Sequence, residues 1–297
     1  MNFFDELKSV CKTVLKDEPM SRHTSFRIGG AAEFFALPED AEEIQKIFKL
    51  CKMHDVPITV LGNGSNVLVS DAGIEGVVIS VSDKMSKIGI NGENIFAGAG
   101  VMLSRLANTA AKNSLSGLEF ASGIPGTLGG AIVMNAGAYG GEMKDVIEAV
   151  GVMDSDGNVF EIHAKDAGFG YRTSVFSKYL VLYGKMRLKK GDQEEIKAKM
   201  AELNAKRKEK QPLNFPSAGS TFKRPEGYFA GKLIEDAGLK GYRVGGAQVS
   251  EKHSGFVVNA GGATAKDVKA LIEDVQKKVK HDFGVTLERE IKYIGRE

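Results

Sequence analysis

The chain has 297 residues, 42% of them hydrophobic and 26% charged, and a net charge of +2. These proportions suit an ordinary globular protein with room for one large domain or two. A balance so close to neutral gives no electrostatic reason for a nucleic-acid partner, no apolar run approaches the ~18 residues of a membrane span, and residues 1–6 lack the basic-then-apolar pattern of a secretion signal. Cys11 and Cys51 make no metal pattern and read as buried apolar side chains in a reducing, cytoplasmic setting.

Asp40 to Asp55 carries Ile44, Ile47, Phe48 and Cys51 on one face and predicts a helix stopped by Pro57. Ile58–Leu61 is a short strand, followed by a glycine loop, Gly62-Asn63-Gly64-Ser65-Asn66. Val77–Val81 is a buried strand, and Asn91-Gly92 is a hairpin signal before Ile95–Ala97. Met102–Asn113 is helical. Asp156-Gly157 marks a second hairpin between 150–153 and 159–162, and Leu180–Tyr183 is a further strand. From Asp192 to about Lys210 a charged helix has Ile196, Met200 and Leu203 as its stripe, and a domain boundary is expected near Gly191. Thr264 with Asp267 predicts a capping box for a last helix with Val268, Leu271, Ile272, Val275 and Val279 inside and Gly284 at its end; a strand over Val285–Ile294 follows.

Seven of the nineteen residues from Gly123 to Gly141 are glycine, with Ile, Leu, Val, Met and Tyr between them. Glycine at that density costs conformational entropy, which a packed segment tolerates where backbone turns sharply or approaches a ligand. With 62–66 it suggests main-chain N–H groups cradling a phosphate-bearing ligand; two tight structural turns are the plainer alternative. Asn63 and Asn66 suit positive φ and offer amide hydrogen bonds. The sequence has no P-loop, and Gly98-Ala99-Gly100 lacks the third glycine of a dinucleotide fingerprint, since Leu103 stands there.

Gly62–Asn66, Gly123-Ile124-Pro125-Gly126 and Asn135–Gly140 together resemble the FAD-binding domain of the vanillyl-alcohol-oxidase type. Gly170-Tyr171-Arg172-Thr173-Ser174-Val175-Phe176, Ser217–Pro225 and Leu287–Ile291 narrow this. In this order they resemble the shorter subtype of the UDP-N-acetylenolpyruvoylglucosamine reductase family, over about residues 21–294. The resemblance implies an α+β flavoenzyme. Its FAD-binding domain, in two lobes, spans 1–190, and its substrate-binding domain spans 191–297. FAD is non-covalent, NADPH is co-substrate, the enolpyruvyl ether of UDP-N-acetylglucosamine is substrate, and the protein is a monomer.

The same resemblance assigns roles. Gly62, Asn63, Gly64, Ser65, Asn66, Ile124, Pro125, Gly126, Gly129, Gly130, Asn135, Gly137 and Ala138 would hold FAD. Arg172 would polarise the enolpyruvyl carboxylate, Ser220 would give a proton, and Glu290 would be a catalytic carboxylate. From the residues alone, Arg172 could be a surface arginine and Ser220 an ordinary turn serine, and strand alternation puts Glu290 on a solvated face. Tyr139, Lys223, Arg224, Tyr228, Lys232 and Arg289 are softer substrate-binding candidates. His253 could be a base or, more simply, a structural hydrogen-bonding histidine. No metal site is expected. Lys223-Arg224-Pro225 departs from the Lys-Asn-Pro of some members, and the 188–211 interval lacks the tyrosine-bearing insertion that others place over the substrate. Two rival readings are a flavin-dependent oxidase of a sugar or alcohol and a nucleotide-sugar binding protein without catalysis.

Overall fold

The helices of the computed structural model, which describes residues 2–297, are α1 (Phe3–Val10), α2 (Ala41–Met53), α3 (Leu103–Lys112), α4 (Leu128–Val133), α5 (Gln193–Lys210), α6 (Ala230–Asp236) and α7 (Ala265–Phe283). Met1, where the signal-free reading begins, lies outside the described residues. Local chemistry sets the helix ends. Asp40 accepts the Glu43 N–H at the start of α2, and Thr264 and Asp267 cap each other reciprocally at α7. Gly284, at φ 71°, ends α7 in the left-handed conformation that costs glycine least. Among the described residues no helix is long and apolar enough to cross a membrane.

Packing divides the chain into two units, and neither is continuous in sequence. The first takes the chain up to Lys16, Phe34–Asn63 and Gly76–Arg207; the second takes Asp17–Glu33, Gly64–Glu75 and Lys208–Glu297. The chain passes between them inside strands Val14–Pro19, Ala31–Ala36 and Ile74–Ser80, inside the first glycine loop, and inside α5. The boundary expected near Gly191 therefore moves. The stripe of α5 must leave water, and its Ile196 and Met200 do so in the core of the first unit.

In the first unit a five-stranded antiparallel sheet runs in the order Val159–His163, Ile147–Met153, Leu180–Arg187, Asn94–Gly98, Ile88–Asn91. Both predicted hairpins are present, with Gly92 at φ 62° and Gly157 at φ 83°. Ile58–Leu61 pairs in parallel with residues 77–80. The glycine-rich segment is not a loop throughout, because its middle is α4. That helix lies on the sheet where Gly184 has no side chain; a Cβ there would come within 3.0 Å of Ile132.

The second unit holds a four-stranded antiparallel sheet ordered Ser217–Ser220, Phe256–Asn259, Ala247–Val249, Arg243–Val244. Its core joins Val268, Leu271, Ile272, Val275 and Val279 of α7 to Leu233 and Ile234 of α6. The strand expected over Val285–Ile294 is shorter. Only Lys292–Ile294 forms, parallel to Val67–Val69, and 285–291 is irregular apart from one bridge between Arg289 and Phe222. The alternation of 285–291 reflects Leu287 and Ile291 anchoring that segment in the core, not a pleat.

Candidate active site

The loop 62–66 leaves strand Ile58–Leu61 with a tight approach on each side. In the first unit, a Cβ on Gly62 would lie 2.4 Å from Thr127 Oγ1, and Asn63 Nδ2 donates to the Pro125 carbonyl at 2.7 Å. The two glycine segments are thus tied to each other. In the second unit, Gly64 has φ 61°, a Cβ on it would lie 2.1 Å from the His23 carbonyl oxygen, and its own carbonyl accepts the Ser25 N–H. Positive φ falls on Gly64 rather than on Asn63 or Asn66. Asn66 Nδ2 reaches the Glu290 carbonyl at 3.4 Å, and the Asn66 carbonyl accepts from Lys292 N at 2.9 Å.

These bonds decide which N–H groups remain for an anion. Among the described residues none of the main-chain N–H groups of Gly62, Asn63, Gly64, Ser65 and Asn66 has a protein acceptor. Five such donors in succession fit a diphosphate. The second glycine segment behaves differently. Ile124, Gly126, Leu128 and Gly129 spend their N–H groups on the carbonyls of Ala121, Ile124, Val101 and Ala99. Gly129 is there because a Cβ would come 3.0 Å from that of Ala99, whereas Gly130 is exposed and a Cβ on it would meet only Thr127 Oγ1, at 3.8 Å. In this segment Ile124, Gly126 and Gly129 spend their N–H groups on the scaffold, and the Pro125 carbonyl serves Asn63.

Asn135 is tied into the scaffold of the first unit through its side chain. It is 0% exposed, at φ 40°, and its amide is fully engaged: Nδ2 donates to Glu142 Oε2 and to the Gly170 carbonyl, both at 3.0 Å, and Oδ1 accepts from Lys144 N at 3.0 Å. The side-chain amide is thus committed within the protein, while among the described residues the main-chain carbonyl accepts no backbone hydrogen bond. Gly137 and Ala138 form a small hairpin with Gly141 and Glu142, and a Cβ on Gly137 would meet Glu142 Cγ at 2.7 Å. Tyr139, at φ 53°, stands half in solvent at the tip of that hairpin.

Arg172 belongs to this same region of the first unit. Gly170 and Thr173 exchange N–H bonds at 3.0 and 3.4 Å, closing a turn whose central residues are Tyr171 and Arg172. Arg172 has φ 56°, a left-handed conformation that costs a bulky residue of the order of 1–3 kcal/mol. Its guanidinium lies 5.0 Å over the Tyr171 ring and donates to the Gly137 carbonyl at 3.4 Å. It is half-buried, not on a charged helix face.

In the second unit a backbone bond sets the Glu290 segment beside Thr221, the residue that follows Ser220. Ser220 ends its strand opposite Phe256, after a register shift at Gly219 (φ 78°). Such a bulge re-aims the side chain that follows it. The next residue, Thr221, is pinned on both sides: its N–H goes to Gly255, and its carbonyl accepts Glu290 N at 2.9 Å. Lys223 N in turn donates to the Glu288 carbonyl at 2.8 Å. Glu290 is half-buried beside the serine strand, off the solvated face that alternation suggested.

The softer candidates separate. Lys223 Nζ pairs with Glu288 at 3.0 Å, and Lys232 pairs with Asp236 one turn along α6, so both ammonium groups have carboxylate partners. Arg224 stacks 4.0 Å over the exposed Phe229 ring and its Nε donates to the Tyr228 carbonyl. Tyr228 and Arg289 are exposed. His253 accepts the Gly255 N–H at Nδ1 and sets its ring edge against Phe256; burial lowers its pKa, which fits the structural reading.

One residue escaped the sequence reading. Arg207 continues the stripe 196, 200, 203 on α5, so a cation stands where an apolar side chain belongs. It is half-buried, burial pushes its guanidinium below the ordinary arginine range, and among the described residues it has no carboxylate partner. Its Cδ lies 3.1 Å from where a Gly123 Cβ would be, and Tyr139 is the titratable group that acts on it. A desolvated charge with no counter-ion is costly unless a ligand brings one. Among the described residues no group of side chains could hold a metal ion.

Comparison with known proteins gives the chain's relatives. A family model for an FAD binding domain matches residues 32–163, and one for the UDP-N-acetylenolpyruvoylglucosamine reductase C-terminal domain matches 211–294. The reductase of that name from Caldanaerobacter subterraneus subsp. tengcongensis is 54% identical over 98% of this chain and 97% of its own. The one from Clostridioides difficile is 52% identical over 95% and 93%. The crystal structure of the Thermus caldophilus reductase superposes with a TM-score of 0.81 at 38% identity, covering 95% of this chain and 98% of that one. An alkyldihydroxyacetonephosphate synthase, at 17% identity and a TM-score of 0.50, shares the fold over 63% of this chain and 40% of its own.

Proposed function

Because the chain belongs to the UDP-N-acetylenolpyruvoylglucosamine reductase family, we propose that it reduces the enolpyruvyl ether of UDP-N-acetylglucosamine to UDP-N-acetylmuramate, a peptidoglycan precursor, with electrons from NADPH. When bound, FAD supplies the hydride chemistry, from NADPH to C3 of the enolpyruvyl group. The chain's own residues do the rest. The free N–H groups of 62–66 hold the cofactor diphosphate, and Arg207 offers a cation to an anionic part of a ligand. Arg172 grips the substrate carboxylate, into which the negative charge of the enolic form spreads, and Glu290 acts with it on that form. Ser220 then gives its hydroxyl proton to C2. A hydroxyl is a weak acid, but carbon at C2 is a strong base, so position matters more than acidity. Arg224, stacked on Phe229, is the cation best placed in the second unit for a substrate phosphate.

The observation that carries this reading is the backbone bond from Glu290 to Thr221, which fixes the carboxylate-bearing segment beside the residue that follows Ser220. Ser220→Ala tests it. The variant should purify yellow and bleach at 450 nm with NADPH, yet fail to turn over the enolpyruvyl substrate. Normal turnover removes Ser220 from the mechanism.

A further inference from the structure

Arg172 sits in a conformation it would not choose, and the device that holds it there lies outside the groups assigned to the reaction. The turn Gly170–Thr173 closes on itself through two backbone bonds, one of them 3.4 Å long. An outside anchor is needed to keep a bulky residue at φ 56°. Asn135 provides one. Its Nδ2 takes the Gly170 carbonyl at 3.0 Å, and the same nitrogen takes Glu142 Oε2 at 3.0 Å. Glu142 is itself fixed: its N–H caps onto Asp145, and its carboxylate pairs with Lys144 Nζ at 2.6 Å. It is held below the usual carboxylate range by Lys144 first, then by the Asn135 amide and the Arg172 charge, against the cost of burial. Arg172 closes the circuit by donating to the Gly137 carbonyl, opposite Glu142 in the hairpin.

We propose that Asn135 and Glu142 are positioning residues for Arg172: the amide pins the turn, the carboxylate holds that amide from the hairpin strand opposite Gly137, to which the guanidinium donates, and together they aim the cation at the substrate carboxylate. This rests on the role given to Arg172 above. Neither side chain touches the substrate. A fully buried amide bonded on both sides aims what it holds, because no rotamer change satisfies its partners as well. Misplacing the cation by about 1 Å costs of the order of 100-fold in turnover.

The test uses the FAD-loaded full chain. Asn135→Asp keeps shape and the acceptor for Lys144 N but turns the shared donor into an acceptor facing Glu142 and Gly170. Glu142→Gln, which removes the charge and its ion pair with Lys144 but keeps an amide oxygen to accept from Asn135, serves if Asn135→Asp does not fold. The first readout is the Arg172 Nε–H resonance, assigned by its loss in Arg172→Lys. The second is turnover of the enolpyruvyl substrate, in wild type and in an Arg172→Ala background. Positioning predicts that the resonance shifts and broadens, that kcat falls while bleaching by NADPH is unchanged, and that the variant adds nothing once Arg172 is gone. An unshifted resonance, or losses that add in the double variant, overturns the proposal. A shifted resonance with full turnover in Arg172→Ala upholds the positioning and instead overturns the catalytic role of Arg172.

Discussion

Replacing Gly64 by alanine isolates what the backbone of the 62–66 loop contributes to cofactor binding. Two penalties combine. The residue stays at φ 61°, which costs an L-amino acid roughly 1–2 kcal/mol. The added Cβ falls 2.1 Å from the His23 carbonyl oxygen, against 3.4 Å for ordinary contact, so the gap must open by 3.4 − 2.1 = 1.3 Å. His23 cannot yield freely, because its N–H is bonded to Met20 and Ser25 N is bonded to Gly64 O. The loop must move instead, and its donors move with it. Losing one charge-assisted bond of about 1.5–3 kcal/mol weakens FAD binding roughly 10- to 150-fold. The assay is a titration of apoprotein with FAD, followed by quenching of flavin fluorescence. Gly238→Ala is the control: φ there is 74°, but no atom lies within 4 Å of its Cβ position, so stability drops and affinity does not. A Gly64→Ala affinity within about threefold of wild type, under 1 kcal/mol, would refute the reasoning.

Asp71 receives the N–H groups of Ala265 and Lys266 at 2.7 and 2.9 Å, a second cap on α7 supplied from far along the chain. Asp71→Ala should cost about 1–2 kcal/mol, and at this chain length each kcal/mol lowers Tm by roughly 2–4 °C in a thermal melt. Arg207→Met should raise the Tm of the apoprotein by removing a desolvated charge, and should shrink the further rise that FAD produces; an unchanged FAD shift would free Arg207 from any ligand. Burial lowers the pKa of His253, so the unfolded chain takes up that proton first as pH falls. The stability it contributes is complete above about pH 6.5 and is lost as pH drops below it. Urea midpoints at pH 8 and 5.5 should therefore diverge less in His253→Gln than in wild type.

Much of the fold could be read locally. Asp40, Thr264 with Asp267, Asn91-Gly92 and Asp156-Gly157 are signals whose chemistry acts within four residues, and the structure uses each of them. The rest depends on distant neighbours. Asn135 reads locally as a loop amide, and only Glu142 and Gly170 show that its Nδ2 is taken up inside the protein. Nothing near Lys223 in sequence announces Glu288, 65 residues away, as its ion-pair partner. Residues 285–291 alternate like a strand because two of them, Leu287 and Ile291, are anchored in the core formed with α6 and α7. Arg207 was legible in principle, as a cation at the next step of an apolar stripe. Reading it required asking what the stripe was for rather than where the helix ended.

The interleaving of the two units has a consequence for how the protein is made. Phe26, Ile28 and Leu68 belong to the same core as α6 and α7, but a ribosome delivers them long before their partners. Between Glu75 and Lys208 lie the 207 − 76 + 1 = 132 residues Gly76–Arg207, which at ~5–20 residues per second is roughly 7–26 s of translation. Over that interval the nascent chain carries three large apolar side chains whose burial partners do not yet exist. The first unit matures during the wait, since its last segment ends at Arg207. Synthesis thus leaves an early, sticky intermediate with a completed neighbour attached, and this is the state on which a chaperone that binds nascent chains would act.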